Sequence, residues 1–237
     1  MQEHPVLQSK SEINQARETL KQRNLSFVES DFVRTLRQYK LLPGVSVGHD
    51  IKSWDILKTV SYIESNIGKQ DSVLDIGAYA SEILCILHRL GYTNLTGIDL
   101  NLKVKNMPFA KSVCYEVGDM LHTPFSEGAF SAITAISVIE HGFDSDKLLH
   151  EISRLLKPEG VFIVSFDYWP NKIDTSNERM FDMDWRIFSK DEVNQFLKDA
   201  ERFQLFPESN TNFDIQVPAI SWANRQYTFA WLALKKR

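Results

Sequence analysis

The feature of this sequence that most constrains its fold is an alternation of short apolar runs with helical stripes. Five runs of strand length occur in the middle of the chain, at residues 73–77, 95–98, 113–117, 129–138 and 161–166. Between the last two lies a stripe of apolar residues at helical spacing: Leu148, Leu149, Ile152, Leu155 and Leu156. This alternation predicts a doubly wound α/β domain, in which helices cover both faces of a parallel sheet.

The two ends of the chain differ from this central pattern. Residues 1–50 contain few apolar positions, so we expect a helical extension that packs on a main domain of residues 51–237. Near the other end, Ser189 and Glu192 have the spacing of a capping box and predict a helix start. Two further strands are predicted near residues 203–206 and 226–234, and the apolar character of the second suggests a strand between two neighbours.

Composition excludes several classes of protein. The chain has 27 basic and 31 acidic residues, which leaves no cationic surplus for coating duplex nucleic acid. No stretch approaches the roughly 18 apolar residues of a membrane span, and the first residues lack the apolar run of a signal peptide. Cys85 and Cys114 lie in apolar stretches and are interpreted as reduced core residues. We therefore expect a cytoplasmic protein without a nucleic-acid partner, a disulfide framework or a metal site.

Four of the predicted strands end in turns that contain acidic or small residues. These turns are Asp75-Ile76-Gly77, Asp99, Gly118-Asp119 and the segment 137–141. The carboxyl ends of strands in such a sheet meet at one edge, where ligands bind. The sequence therefore predicts a ligand site at this edge.

The distance along the chain from Gly77 to Asp99 is 22 residues, which suits a carboxylate that accepts from two ribose hydroxyls. Enzymes that bind dinucleotides and enzymes that bind S-adenosylmethionine (SAM) both use this arrangement. The dinucleotide fingerprint also needs two further glycines, and Tyr79 and Glu82 stand in their places. This departure argues against a dehydrogenase.

Five motifs then carry a resemblance to a known family: VLDIGA at 73–78, GIDL at 97–100, GDM at 118–120, SVIEH at 137–141 and LLKPEG at 155–160. Their order and spacing resemble those of class I SAM-dependent methyltransferases, above all the small-molecule branch known as methyltransferase type 11. The resemblance covers residues 71–166. It implies a Rossmann-like sheet of seven strands, the last antiparallel, with SAM at the carboxyl ends of the first four.

The resemblance also implies which residues bind the cofactor. Asp75 would lie near the methionine amino group, Asp99 would hold the ribose, and Asp119 would accept from the adenine amino group. The full expected set is Asp75, Gly77, Ala78, Asp99, Leu100, Gly118, Asp119, Met120, Ser137 and Val138. The family usually has a second glycine where Tyr79 stands, so a SAM-binding scaffold without turnover stays open as an alternative.

The residues after the fourth and fifth strands are candidates for contact with a methyl acceptor. His141 and Asp167 are the candidate bases, although His141 also fits a structural role. Tyr168 and Trp169 would shape an acceptor site or, alternatively, clamp the following loop. In that loop Phe181, Trp185 and Phe188 predict either a lid or a packed segment.

The sequence therefore predicts a SAM-dependent methyltransferase with a small-molecule acceptor. We expect the acceptor to be a hydroxyl group, of a sugar or glycan precursor, by analogy alone. The alternative is a non-catalytic SAM-binding or scaffold protein of the same fold.

Overall fold

The computed structural model describes residues 4–142, 144–180, 183–208 and 211–237. The chain forms two compact units. One consists of Ile13–Pro124, and the other joins the described residues up to Glu12 with Phe125–Arg237. The division into residues 1–50 and 51–237 stays a prediction.

The unit of Ile13–Pro124 contains a three-stranded parallel sheet in the order β3-β2-β1. Its strands are β1 (Ser72–Ile76), β2 (Asn94–Asp99) and β3 (Cys114–Val117). Its helices are α1 (Lys10–Gln22, which begins in the other unit), α2 (Asp31–Gln38), α3 (Ser53–Asn66) and α4 (Ile83–Arg89), with 3₁₀ turns at Asp50–Lys52 and Leu102–Asn106.

Glycine is required in the middle of β2 by close packing. A Cβ atom at Gly97 would lie 2.7 Å from the Cβ of Ala78 and 2.9 Å from side-chain atoms of Leu84 and Tyr115. The start of α4 can therefore pack directly on the backbone of β2. This close approach holds the end of β1 beside the end of β2.

The second unit contains four strands in the order β4-β5-β10-β8. Strand β4 runs parallel to β5, and β10 runs antiparallel to both β5 and β8. Its helices and strands are β4 (Phe130–Ile136), α5 (Ser145–Leu155), β5 (Leu156–Tyr168), β6 (Arg179–Met180), β7 (Met183–Asp184), α6 (Lys190–Arg202), β8 (Leu205–Pro207), β9 (Ile220–Trp222) and β10 (Arg225–Lys236). Strands β6 and β7 form a separate pair, and β9 pairs with β10.

The chain near its start is hydrogen-bonded to β10. The amide of Leu7 donates to the carbonyl of Phe229 at 2.9 Å, and the amide of Trp231 donates to the carbonyl of Pro5 at 2.7 Å. The buried hydroxyl of Thr228 also donates to the carbonyl of Leu7. On its other side, this part of β10 pairs with β5. Residues 5–7 therefore act as a short additional strand.

Two local expectations about the second unit were confirmed. The capping box of Ser189 and Glu192 is present at the start of α6. The strand expected at 226–234 is β10, and it lies between two antiparallel neighbours. At the start of α4, Glu82 occupies the cap position, and the hydroxyl of the preceding Ser81 accepts a hydrogen bond from the amide of Ile83.

The two cysteines are free thiols in different surroundings. Cys85 is buried as expected, whereas Cys114 is exposed, because it begins β3 at the outer strand of its sheet. Among the helices that the structure describes, none is long and apolar enough to cross a membrane.

Candidate functional site

The loop between β1 and α4, residues 77–82, turns sharply at the end of β1. Gly77 has a φ of 73°, and Ala80 has a φ of 63°. The amides of Gly77 and Ala78 both donate to the carbonyl of Ile98, at 2.9 and 3.2 Å. The loop backbone is therefore held against the end of β2, with the buried Asp75 directly before it.

The carboxylate of Asp99 links this loop to β2. Its Oδ2 accepts from the amide of Tyr79 at 2.9 Å, and its Oδ1 accepts from the amide of Asn101 at 2.7 Å. Each oxygen retains a further lone pair, and the side chain is half-buried. Asp99 can therefore fix the loop and accept from a ligand at the same time.

Tyr79 occupies the place of a family glycine without strain. It does not have a positive φ, so the backbone at this position does not need glycine. Its amide makes the bond to Asp99 that any residue except proline could make. The departure noted in the sequence therefore leaves the loop conformation intact.

Three contacts of the same loop were missed by the sequence analysis. The amide of Ala80 donates to Sδ of Met107 at 3.2 Å, and its carbonyl accepts from the amide of Gly48 at 2.8 Å. Glu82 forms a buried ion pair with Arg17. These partners are distant in sequence. The only local sign of them was Glu82, an acidic residue directly before an apolar helix.

The ends of β2 and β3 carry the remaining residues expected around adenine. Asp119 is exposed, and its Oδ1 accepts from the amide of Leu121 at 2.9 Å. Leu100 exposes 63% of its surface, and Met120 is half-buried. A Cβ at Gly118 would lie 2.8 Å from Cδ1 of Ile98. The unit of Ile13–Pro124 thus gathers a carboxylate from each of its three strand ends together with two apolar side chains.

In the other unit, Ser137 has an unusual backbone at the end of β4. Its φ is 55°, and its amide donates to the carbonyl of Ser165 at 3.0 Å. Its hydroxyl is buried and has no hydrogen-bond partner among the residues that the structure describes. Strained non-glycine residues concentrate at functional sites, so Ser137 stays a candidate ligand contact together with half-buried Val138.

His141 contacts the loop that follows β5 through its backbone. It forms an isolated β-bridge with Trp185, and the neighbouring carbonyl of Glu140 accepts from the amide of Arg186 at 2.8 Å. The side chain is half-buried. The position therefore has a structural task, and its role as a base stays a prediction.

Strand β5 extends two residues beyond its expected end, and this buries two candidate residues. Asp167 is 5% exposed, and its Oδ2 accepts from Nε1 of Trp185 at 2.8 Å. Tyr168 has no exposed surface, and its hydroxyl donates to the carbonyl of Phe213 at 2.9 Å. Burial also raises the pKa of Tyr168. Tyr168 therefore has a packing role in this unit, and its expected acceptor contact stays a prediction.

Trp169 and the segment after it pack against the same unit. The amide of Trp169 donates to the carbonyl of Phe188 at 2.9 Å, while its side chain is half-buried. Trp185 and Phe188 are each 2% exposed, which favours a packed segment over an open lid. Phe181 lies outside the described residues.

Trp185 is the centre of an aromatic cluster that the sequence analysis did not find. Its ring centroid lies 5.0 Å from that of Trp222 and 5.8 Å from that of Tyr227, both edge to face. Burial, together with the charges of Asp167 and Glu140, raises the pKa of Tyr227. Trp222 is 44% exposed, so the cluster reaches the surface through this side chain. In the described part of the chain, no group of histidine, cysteine and acidic residues could hold a metal ion.

Comparison with curated proteins shows similarity to methyltransferases over part of the chain. The family described as "Methyltransferase domain" matches residues 74–164. A norajmaline N-methyltransferase of Rauvolfia serpentina is 30% identical over 80 residues, which are 34% of this chain and 27% of the relative. A sterol 24-C-methyltransferase of Yarrowia lipolytica is 27% identical over 165 residues, 65% of this chain and 43% of the relative. The chain thus spans less than half the length of these relatives.

Solved structures share the fold. A geranyl diphosphate C-methyltransferase from Streptomyces coelicolor, solved with Mg²⁺, geranyl diphosphate and S-adenosyl-L-homocysteine, superposes with a TM-score of 0.58 at 17% identity. The superposition covers 79% of this chain and 83% of that one. Residues 74–164 therefore match a methyltransferase domain, the fold is the Rossmann-like α/β fold, and the resemblance to class I SAM-dependent methyltransferases is confirmed.

Proposed function

We propose that this protein is a SAM-dependent methyltransferase that acts on a small molecule. The observation that carries the proposal is the double use of Asp99, which fixes the β1–α4 loop and keeps acceptor capacity at the end of β2. A ribose offers two neighbouring hydroxyl donors to such a carboxylate. Hydrogen bonds to charged groups contribute about 1.5–3 kcal/mol each.

Carboxylate acceptors and apolar side chains at the strand ends support this cofactor assignment. Asp99 would accept from the ribose, Asp119 from the adenine amino group, and Leu100 and Met120 would cover the adenine ring. The backbone of Gly77 and Ala78 allows close approach beside Asp75. Ser137 and Val138 belong to the other unit, and their expected contact with the methionine portion stays a prediction.

When bound, SAM supplies a methyl group whose carbon is already electrophilic. The chain then needs to align the acceptor with that carbon and to exclude water, and alignment alone can contribute several powers of ten in rate. A base is required only for an acceptor such as a hydroxyl. His141 is the proposed base, because Asp167 is engaged by the indole of Trp185.

The proposed acceptor is a hydroxyl group of a sugar or glycan precursor. Support comes from the sequence analogy, and from the half-buried Trp169, whose ring could stack on a sugar face. The related proteins named above are N- and C-methyltransferases, so nitrogen and carbon acceptors belong in the same assay. The proposed location is the cytoplasm, supported by two cysteines that both remain free thiols.

Calorimetric titration with SAM, S-adenosylhomocysteine and NAD tests the cofactor. We expect the first two to bind and NAD to give no heat of binding, because Tyr79 and Glu82 replace the glycines that a pyrophosphate requires. Binding of NAD as strong as that of SAM would contradict the proposal. Binding of SAM without methyl transfer to any of a panel of hydroxyl, amine and carbon acceptors would favour the scaffold alternative.

A further inference from the structure

Arg17 and Glu82 form an ion pair in the interior of the unit of Ile13–Pro124. The guanidinium donates to both carboxylate oxygens, at 2.9 Å from Nη1 to Oε1 and 2.7 Å from Nη2 to Oε2. Arg17 is 5% exposed and Glu82 is 1% exposed. Nε of Arg17 also donates to the buried hydroxyl of Ser53 at 2.9 Å. The pair is therefore bidentate and almost free of solvent.

Glu82 turns away from the helix that it precedes. It occupies the cap position of α4 but forms no side-chain capping bond there. Its Oε1 instead accepts from the amide of Phe27 at 2.9 Å. The carboxylate thus binds residues of the segment 17–48, which we call the N-terminal segment, and so joins the last residue of the β1–α4 loop to it.

A second contact joins the same two parts of the chain. The amide of Gly48 donates to the carbonyl of Ala80 at 2.8 Å, and Gly48 has a φ of 76°. Its α-carbon faces Glu82 so closely that an added Cβ would overlap the Glu82 side chain. The loop is therefore held on one side by Asp99, through Tyr79, and on the other by Arg17 and Gly48.

Stability alone gives no reason for two buried charges at this place. Replacing a buried ion pair by apolar residues of similar volume is often neutral or stabilising, whereas removing one partner is costly. What the pair adds is direction, because a bidentate guanidinium fixes both the position and the orientation of a carboxylate. Here that carboxylate belongs to the loop whose Tyr79 amide is bonded to Asp99.

We propose that Arg17 and Glu82 are positioning residues for SAM, which set the conformation of residues 79–81 without touching the cofactor. This inference rests on the proposed function. It assigns to the N-terminal segment a part in cofactor affinity, and it explains why an acidic residue stands where a dinucleotide fingerprint would have glycine.

The test uses a double variant, Arg17→Met with Glu82→Met, in the full chain. Because both charges are removed together, we expect the melting temperature to stay within about 4 °C of that of the unmodified chain. The dissociation constant for SAM should rise at least about tenfold. Amide exchange in residues 79–82 should accelerate, while exchange in β1 and β2 stays unchanged. Unchanged SAM affinity in this folded variant would overturn the proposal.

A control is the ion pair of Arg23 and Glu64, in which one nitrogen, Nη2 of the exposed Arg23, donates to both oxygens of the half-buried Glu64 at 2.7 Å. Replacing both of its residues by methionine should change SAM affinity by less than about twofold. An equal loss in this control would show that loosening of the N-terminal segment is sufficient, and would overturn the specific role of Arg17 and Glu82.

The single variant Arg17→Lys covers the case in which the double variant does not fold. It keeps the charge opposite Glu82 but loses the planar fork, so we expect a native melting temperature and SAM affinity about threefold weaker or worse. Native affinity would overturn the proposal. If the unmodified chain itself binds no SAM, the proposed function fails, and this inference fails with it. If the unmodified chain binds SAM and the variants bind it equally well, the inference alone fails.

Discussion

Asp99 accepts two backbone hydrogen bonds before any ligand arrives, from Tyr79 and from Asn101. A residue that only met the ribose would affect affinity alone. A residue that also fixes the β1–α4 loop would contribute to SAM affinity in two ways, through its bond to the ribose and through the order of the loop beside the cofactor.

We therefore expect Asp99→Ala to weaken SAM binding at least about tenfold, or about 1.4 kcal/mol, measured by calorimetry. Asp99→Asn should weaken it as well, because its amide NH₂ would face one of the two backbone donors. Asp191→Ala, which removes an exposed carboxylate on α6, is the control and should bind normally. Normal affinity in Asp99→Ala would mean that the ribose is held elsewhere.

Gly48 allows the cost of backbone strain to be separated from the cost of a contact. Gly48→Ala forces alanine into a left-handed conformation, at about 1–2 kcal/mol, and also pushes on Glu82. Gly91 has a φ of 86° with no atom near its missing Cβ, so Gly91→Ala carries the strain only. Both variants should melt at least about 2 °C lower. Gly48→Ala alone should lose SAM affinity, which titration at a temperature well below melting would show.

At the scale of elements, the segment after β5 is held in place by hydrogen bonds to Asp167. Trp185 donates to Asp167 on β5, and the amide of Phe188 donates to the Asp167 carbonyl at 2.9 Å. A buried carboxylate that accepts this hydrogen bond from the Trp185 indole has little freedom to act as a base. Its burial instead fixes the segment that contains Trp169 at its start.

Trp185→Phe keeps an aromatic ring but removes the indole donor. The lost bond to a charged acceptor is worth about 1.5–3 kcal/mol, so we expect the melting temperature to fall by roughly 3–10 °C. Trp222→Phe, in the same cluster but 44% exposed, should change it by less than about 2 °C. If Trp185→Phe melts normally, Asp167 is not held by the indole, and its role as a base returns to consideration.

The sequence predicts elements well where the signal is local. The central strands and the Ser189 capping box follow from periodicity and from spacing within a few residues. Strand β5 was expected to end at Phe166 but continues through Tyr168; Asp167 is buried within it, where its carboxylate accepts a hydrogen bond from the indole of Trp185, 18 residues away. No local pattern could show this.

The same limit applies to the candidate site. The order of motifs predicts strand-end carboxylates, and the structure places Asp75, Asp99 and Asp119 at or directly after the ends of β1, β2 and β3; their contacts with SAM stay predictions. The Arg17–Glu82 pair joins residues that are 65 apart in sequence, and its formation depends on the packing of the whole unit. Short strands such as β6 and β9 were also missed, because two or three residues carry no period.

For the whole molecule, the two thiols report different events. Burial raises the pKa of Cys85 to about 12, and Cys85 is fully buried. Burial and the neighbouring Glu116 raise the pKa of Cys114, but this side chain is exposed. Cys114 should therefore react in the folded protein, faster as the pH rises, whereas Cys85 should react only when its unit opens.

A thiol-labelling time course with and without SAM measures this opening. At a SAM concentration of about 100 times the dissociation constant, the labelling of Cys85 should slow about 100-fold, because SAM binds only the closed state. The labelling of Cys114 should not change, and it serves as the internal control. Equal rates for both thiols would contradict the packing described for Cys85.

Residues 5–7 cover part of β10 on the side opposite β5. An uncovered strand offers unsatisfied amides and carbonyls to any extended peptide, including the same strand of another molecule. Residues 5–7 thus protect β10 against edge-to-edge association with another strand. Removal of the first eight residues would leave the amide of Trp231 and the carbonyl of Phe229 without these partners. The expected consequence is pairing of β10 with strands of other molecules rather than unfolding.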